Sequence, residues 1–481
     1  MPVKDPDPDR PSSGHASSGQ PGSASTTFFR RGLALQRLGR HEGAEAAYRE
    51  AIRLRPAHAA AHGNLGTVLQ AQRRFDEAEH YLRKALELDP RNAGYLYNLA
   101  SCSREAEKPE QAEGCYRGAI ALDPMFYPAW NSLGNLLVPR GDLDEAEQCF
   151  RKALATDDPA RLASTRYNLG QLELLRGDYA NGWDNFEQRL YPPTAVAKWR
   201  NLPDPSRLWR GEPLQGGRLL VWCELGLGDT LQFVRYVPLL AERGLRVTAA
   251  VQAPLVGLVR ASLPDQVDVI DRAQVTPDWD RHVSVMSLPR LLDPALDGFD
   301  WSKPYLRARA RLSRAALGLP ASGPLVGLVW ASSPVHRPIY AHKSVPLEPL
   351  AKALLEVPGV TLVSLQVGRD AAQLDGLPGR RVLAPELDAA SFERTAAVAC
   401  ALDAIVTIDT ALAHLAGGLG LPVWTLLHFV PDWRWGLAGD TTYWYPRMRL
   451  LRQRSPGEWP PVLAELQRAI AGFLAAGSTR N

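Results

Sequence analysis

Apolar positions in the first 190 residues recur with a period of 34. Ala44, Ala78, Ala112 and Ala146 keep this step, as do Ala51, Ala85, Ala119 and Ala153, and large side chains follow it at Tyr48, Leu82, Tyr116 and Phe150. Pro56, Pro90 and Pro124 close successive units, with Pro159 one residue late. An earlier helix of each unit carries a small residue at Gly32, Gly66, Ala100 and Gly134, with Gly170 shifted by two. Small residues there let two antiparallel helices approach closely, and a proline, lacking an N–H, stops each unit. The pattern predicts stacked helix pairs.

The helical period breaks in YPPTAVAKWRNLPDPSRLWRGEPLQGG, a Pro- and Gly-rich connector that sets a domain boundary near residue 192. Beyond it β-rich runs alternate with helical segments: RLLVWCE, a helix over about 229 to 243, RVTAAVQ and a short helix from Pro254. A second set begins at PLVGLVWA and runs through a helix near 347 to 356, TLVSLQV, RVLAP, a helix near 391 to 402, AIVTID, a helix at 411 to 419 and PVWTLLH. The amphipathic helix WPPVLAELQRAIAGFLA ends it. Such alternation predicts parallel strands joined by crossover helices. Two doubly wound units in tandem would form a cleft between the carboxyl ends of their strands, where such sheets bind ligands. The halves are expected over 193–320, including the connector and facing the acceptor, and 321–481, facing the nucleotide.

Composition narrows the class. The chain has 481 residues, 45% hydrophobic and 22% charged, with a net charge of +3, so no nucleic-acid footprint stands out. Residues 1–26, rich in Pro, Ser, Gly and Asp, lack an apolar block and are expected to stay disordered. They also lack the apolar centre of a signal peptide, and no apolar run is long enough for a membrane span. Five scattered cysteines without a Cys-x-x-Cys pair suggest reduced core thiols in a cytoplasmic protein.

Two junctions carry candidate chemistry. In CELGLGDTLQF a strand turns into a helix through Gly226 and Gly228, which could bring backbone close to a ligand. The third position of G-x-G-x-x-G is Leu231, against a dinucleotide-enzyme reading, and no P-loop is present. Asp229 would sit at or beside the helix N-cap, where the dipole keeps a carboxylate ionised. Such a carboxylate could take a proton from a hydroxyl nucleophile, or only cap the helix. In AIVTIDTALAHLAGGLGLPVW a buried strand ends at Asp409 and a helix opens at Thr410, so free N–H groups form an anion site fit for a pyrophosphate. Thr410 could add a hydroxyl and His414 a ring nitrogen. Equally, Asp409 or Thr410 could cap the helix and His414 could be a satisfied core histidine. His336, Arg337, His342 and Lys343 follow the strand PLVGLVWA, where a cation could neutralise a leaving diphosphate; loop cations are also common solvated surface. The aromatic run PDWRWGLAGDTTYWYP could wall a nucleotide pocket or pack between halves.

The 34-residue pattern resembles the tetratricopeptide repeat over 27–192, with Ala100 departing from glycine. The resemblance implies an all-α solenoid whose concave face takes a peptide or partner protein, or scaffolds its neighbour. From about 215 to 470 the chain resembles glycosyltransferase family 9, the heptosyltransferase-like enzymes, in their variant fused to tetratricopeptide repeats. ELGLGDTLQFVRYVPLL, VGLVWASSPVHR, IDTALAHLAGGLGLPVWTLL and PDWRW carry that resemblance. It implies a tandem α/β GT-B fold that moves a sugar from a nucleotide-diphosphate donor without metal or other cofactor, consistent with the absence of an Asp-x-Asp motif at a strand end near the donor site. By the same resemblance Asp229 is the general base on the acceptor hydroxyl, Lys343 meets the donor diphosphate, and Thr410, Ala411, Leu412 and His414 lie on the diphosphate-binding segment. Ala411 stands where the family often has glycine, and Leu225 where it usually has glutamine. The first α/β half is short, so the acceptor, protein or glycan, would rely on the repeats, an architecture similar to O-linked N-acetylglucosamine transferases. The rival readings are a non-catalytic repeat scaffold with a silent nucleotide-binding domain, and a nucleotide-sugar epimerase or other dinucleotide enzyme.

Overall fold

The structure, a computed structural model, describes residues 21–191, 205–214, 216–276, 279–296, 300, 302–310, 312–332, 342–377 and 382–478. Two compact units divide the chain, one ending at Asn168 and the other starting at Leu169.

The first unit is helical. It contains α1 (Pro21–Arg37), α2 (His41–Leu54), α3 (Ala59–Ala71), α4 (Phe75–Leu88), α5 (Ala93–Glu105), α6 (Pro109–Leu122), α7 (Tyr127–Leu137), α8 (Leu143–Ala153) and the first part of α9 (Pro159–Leu175). The 34-residue step is a packing code, since each small residue of one helix receives the large residue of the next. A Cβ at Gly32 would lie 2.5 Å from the Tyr48 ring, at Gly66 2.6 Å from Leu82, and at Gly134 2.6 Å from Phe150. Tyr48, Leu82, Tyr116 and Phe150 are fully buried.

Charge follows the same step. Glu45 pairs with Arg49 in its own helix and with Arg74 of the next unit. Glu79 repeats this with Arg83 and Lys108, and Glu113 with Arg117 and Arg140. The turns between paired helices adopt positive φ at Gly39, Arg73, Glu107 and Gly141, again one per unit.

One expectation is corrected at the start of α1. Residues 21–26 are helical rather than disordered, and Ser25 is fully buried with its hydroxyl donating to Ala51 O at 2.8 Å. Docking on α2 supplies the partner that composition alone could not reveal. Residues 1–20 lie outside the described residues.

The second unit opens with the end of α9, α10 (Tyr179–Phe186) and the turn Glu187–Leu190. Two parallel sheets follow. β1 (Arg218–Trp222), β2 (Arg246–Val251), β3 (Asp268–Asp271) and β4 (Arg281–Ser284) form the first, in the order β3-β2-β1-β4. β5 (Leu325–Leu328), β6 (Thr361–Ser364), β7 (Val382–Leu383), β8 (Ala404–Ile408), β9 (Val423–Leu427) and β10 (Met448–Arg452) form the second, in the order β10-β9-β8-β5-β6-β7. The second order is that of a doubly wound fold. Parallel strands covered on both faces are apolar throughout, and every residue of β5, β8 and β9 is buried.

The helix expected over 229 to 243 is instead three pieces: Leu227–Phe233, a 3₁₀ turn over Val234–Tyr236, and Val237–Glu242. Pro238 has no N–H to return to Val234, so the α-helical ladder breaks there. The terminal helix Pro460–Ser478 lies where the sequence put it, and Leu466 and Ile470 join Leu350, Leu354 and Val326 in one core.

Candidate functional site

Each sheet has one place where its strand order reverses, between β1 and β4 in the first and between β5 and β8 in the second. Crevices open at such points, beyond the carboxyl ends of the strands. The loop Cys223–Gly226 leaves β1 at the first, and Asp409 and Thr410 leave β8 at the second. The two junctions meet. A Cβ on Gly228 would lie 2.9 Å from His414 Cδ2 and 3.4 Å from Ala411 Cα, so the start of helix Leu227–Phe233 rests on the start of helix Ala411–Gly418.

Asp229 is the third residue of its helix, not the cap. Its Oδ2 accepts from Gly226 N at 2.8 Å, and its other oxygen pairs with Arg434 Nη2. About a fifth of the side chain, 20%, remains exposed. Burial pushes the Asp229 carboxyl above its ordinary pKa although the Arg434 guanidinium pulls the other way.

Across the contact, Thr410 occupies the N-cap of helix Ala411–Gly418 without a side-chain hydrogen bond to the helix. Its hydroxyl lies 3.3 Å from that of Thr407. The first N–H groups of that helix are thus not met by their capping side chain. Lys343 reaches this end of the sheet and pairs through Nζ with Asp409. Burial would lower the lysine's pKa, but Asp409 and Asp432 outweigh it and hold the ammonium above its usual range. Burial likewise opposes charge on Asp409, and Lys343 overrides it, so the pair is ionic.

His414 is buried and neutral, its pKa pushed down to about 3 by burial and by the Arg434 charge. Its Nδ1 lies 2.8 Å from Tyr445 Oη and its ring stacks on Trp435 at 5.3 Å. These contacts make it a packed partner of Gly228 and the aromatic run. Leu412 is buried, Ala411 half-buried. His336 and Arg337 lie outside the described residues.

Sequence alone marks the PDWRW segment for its rings, yet its charges matter most. Arg434 donates to Asp229, to Asp432 Oδ1 at 2.7 Å and to Gln232 Oε1 at 2.6 Å. It also lies over the Trp433 ring at 4.5 Å and the Phe233 ring at 5.6 Å. The available signal is a cation placed two residues after an aspartate in an apolar stretch. No spacing rule links it to Asp229, 205 residues earlier.

The end of the helical repeats joins this region. Trp183 and Phe186 pack edge-on against Trp433 at 5.3 and 5.9 Å. Arg189, 5% exposed, donates to Glu224 at 2.9 Å, Glu187 at 2.8 Å and Ser287 at 2.7 Å. Glu224 also accepts from Ser284 at the end of β4. Arg189 therefore bridges the last repeat turn and the loop that leads to Asp229.

Comparison with known proteins identifies the first part. A tetratricopeptide-repeat family model matches residues 23–91, and a second one matches 64–124, 97–161 and 131–192, so this region consists of tetratricopeptide repeats. The chain is 27% identical over 347 residues to Protein FlbA of Caulobacter vibrioides, covering 66% of this chain and 56% of FlbA. The chain thus spans little more than half the length of that relative. Among solved structures, Pseudomonas aeruginosa pilF is 24% identical, with 35% of this chain and 76% of that chain covered and a TM-score of 0.32. A thermophilic tetratricopeptide protein of Thermus thermophilus is 20% identical, with 36% and 96% covered and a TM-score of 0.32. Among the described residues no helix is long and apolar enough to cross a membrane.

Proposed function

We propose that the α/β unit is a glycosyltransferase of GT-B type, similar to family 9, and that the repeats recruit its protein or glycan acceptor. A nucleotide-diphosphate sugar is the donor. Asp229 removes the proton of the acceptor hydroxyl as that oxygen bonds to the anomeric carbon. The bond from that carbon to the diphosphate oxygen breaks, and the nucleoside diphosphate departs with its electron pair. The N–H groups at the start of helix Ala411–Gly418, which the Thr410 side chain does not cap, and Lys343, paired with the preceding Asp409, meet the charge that develops there. The observation that carries this reading is the contact of Gly228 with the Ala411 helix start, which brings a carboxylate and an anion-suited helix end together at two strand-order reversals. Burial supports it by raising the proton affinity of Asp229, as a general base requires.

Tetratricopeptide repeats support protein interaction in their own right, so a scaffold with a silent α/β unit is the second reading. Melting temperatures across a panel of nucleotide sugars separate the two, because a ligand at 100 times its Kd stabilises by about 2.7 kcal/mol. The donor that binds is then tested for transfer with the Asp229→Asn variant. The expected loss is roughly 10²- to 10⁴-fold in kcat with donor binding kept. Full retained turnover removes Asp229 from the chemistry, and binding without any transfer by the unaltered protein leaves the scaffold reading.

A further inference from the structure

We propose that Arg434 is the positioning residue of the Asp229 base, fixing the direction of its free lone pairs and setting the pH at which it takes a proton. This rests on the reading of Asp229 as general base.

The geometry leaves Asp229 little freedom. One oxygen is tied to the backbone of Gly226 and the other to Arg434. Arg434 is itself immobilised: three of its nitrogens are engaged by three different side chains, two aromatic rings flank it, and only 7% of it is exposed. Gln232 is fully buried, and its orientation is dictated by Arg434, whose Nε–H needs the amide oxygen as acceptor. Among the described residues the buried amide nitrogen of Gln232 has no partner. Leaving a buried donor unmet is unfavourable by about 1–3 kcal/mol. An arrangement that accepts this to hold one guanidinium indicates a demand on the guanidinium's position.

Arg434 joins two carboxylates, Asp229 and Asp432, that would otherwise repel. Asp432 and Asp409 raise the proton affinity of Asp229, while Arg434 and the Gly226 N–H lower it. Lys343 is paired with Asp409, His414 is neutral and the buried Cys223 thiol is held protonated, its pKa raised to about 12 by burial. Arg434 is thus the cation that directly contacts the Asp229 carboxylate in the described structure.

The test uses the full chain carrying ¹³C-labelled Asp side-chain carboxyls, with the Asp229 resonance assigned by its loss in Asp229→Asn, and needs no substrate. In Arg434→Gln the Asp229 titration midpoint is expected to rise by roughly one pH unit or more, the effect of removing an adjacent arginine. In Arg434→Lys a point charge without the fork restores the midpoint only in part. An unchanged midpoint in Arg434→Gln overturns the proposal. Should that variant fail to fold, Arg434→Lys decides alone, and a midpoint equal to the unaltered protein's overturns it. Transfer by Asp229→Asn tests the base assignment itself, so failure of that reading and failure of this proposal appear in different measurements.

Discussion

At Gly228 two opposing effects can be weighed. Replacing a helical glycine by alanine gains up to about 1 kcal/mol of helix propensity. Here the added Cβ would meet the His414 ring at 2.9 Å, and that ring is held by Trp435 and Tyr445. Overpacking of this kind is unfavourable by about 1–3 kcal/mol, so Gly228→Ala is expected to destabilise despite its better propensity, as a lower urea midpoint at unchanged slope. His414 makes a second prediction, in pH. Its native pKa of about 3 lies below the unfolded value near 6.5. The stability from a neutral His414 is therefore complete above pH 6.5 and is lost as pH falls toward 3, at up to about 1.4 kcal/mol per pH unit. His428, lowered to about 4 mainly by burial, acts in the same direction. In His414→Gln the fall of the urea midpoint between pH 6.5 and 4 should be shallower by about one proton. Superimposable curves would show that His414 is not the group responsible. Neither residue's partner is legible in the sequence. The loop pattern assigns the glycine to a ligand because its actual neighbour, His414, is brought to it only by the fold.

Among the elements, the helical repeats are the most legible because one period encodes both sides of each contact, the small residue and the large one that fills it. The same register exposes an imperfection. The inter-helix turn takes glycine at Gly39 and Gly141 but Arg73 and Glu107 at the equivalent points, with φ of 62° and 60°. A side chain in the left-handed region is unfavourable by roughly 1–2 kcal/mol, partly offset by the freedom a glycine would add to the unfolded chain. Glu107→Gly should therefore stabilise the repeat unit by about 0.5–1 kcal/mol, visible as a higher melting temperature; no change or a fall would mean that Glu107 makes a compensating contact. The α/β elements are less legible. β4 reads RHVS, and β10 reads MRLLR, so their charged residues hide strands that pairing with β1 and β9 completes. Pro238 is visible in the sequence, yet the expected helix runs through it because the apolar spacing continues on both sides.

For the whole molecule, sequence similarity and compactness divide the chain at different places. The repeat pattern runs to about residue 190, whereas the second compact unit begins at Leu169. The sequence could not show this, because α10 keeps the helical period while its Trp183 and Phe186, with Arg189 of the following turn, serve contacts more than a hundred positions away or at the β1 loop. A chain shortened to begin at Pro159 should fold with an intact α/β unit. One shortened to begin at residue 193 strips Trp433 of two aromatic neighbours and leaves Glu224 buried without its guanidinium, a loss of about 3–5 kcal/mol for the broken buried pair alone. Comparing the urea midpoints of the two shortened chains checks this, and equal midpoints would show that the last repeat turn is not integral to the unit.

The charge pairs between repeats have a different implication. Glu45, Glu79 and Glu113 each take one cation from their own helix and one from the unit that follows. The first two joints occupy equivalent positions, Arg74 and Lys108 each lying 29 residues after its glutamate, whereas Arg140 follows Glu113 by 27. Duplicating or losing one whole 34-residue link across those first two joints regenerates a joint of the same register, so the number of repeats can change over generations while the chemistry carried further along stays as it is.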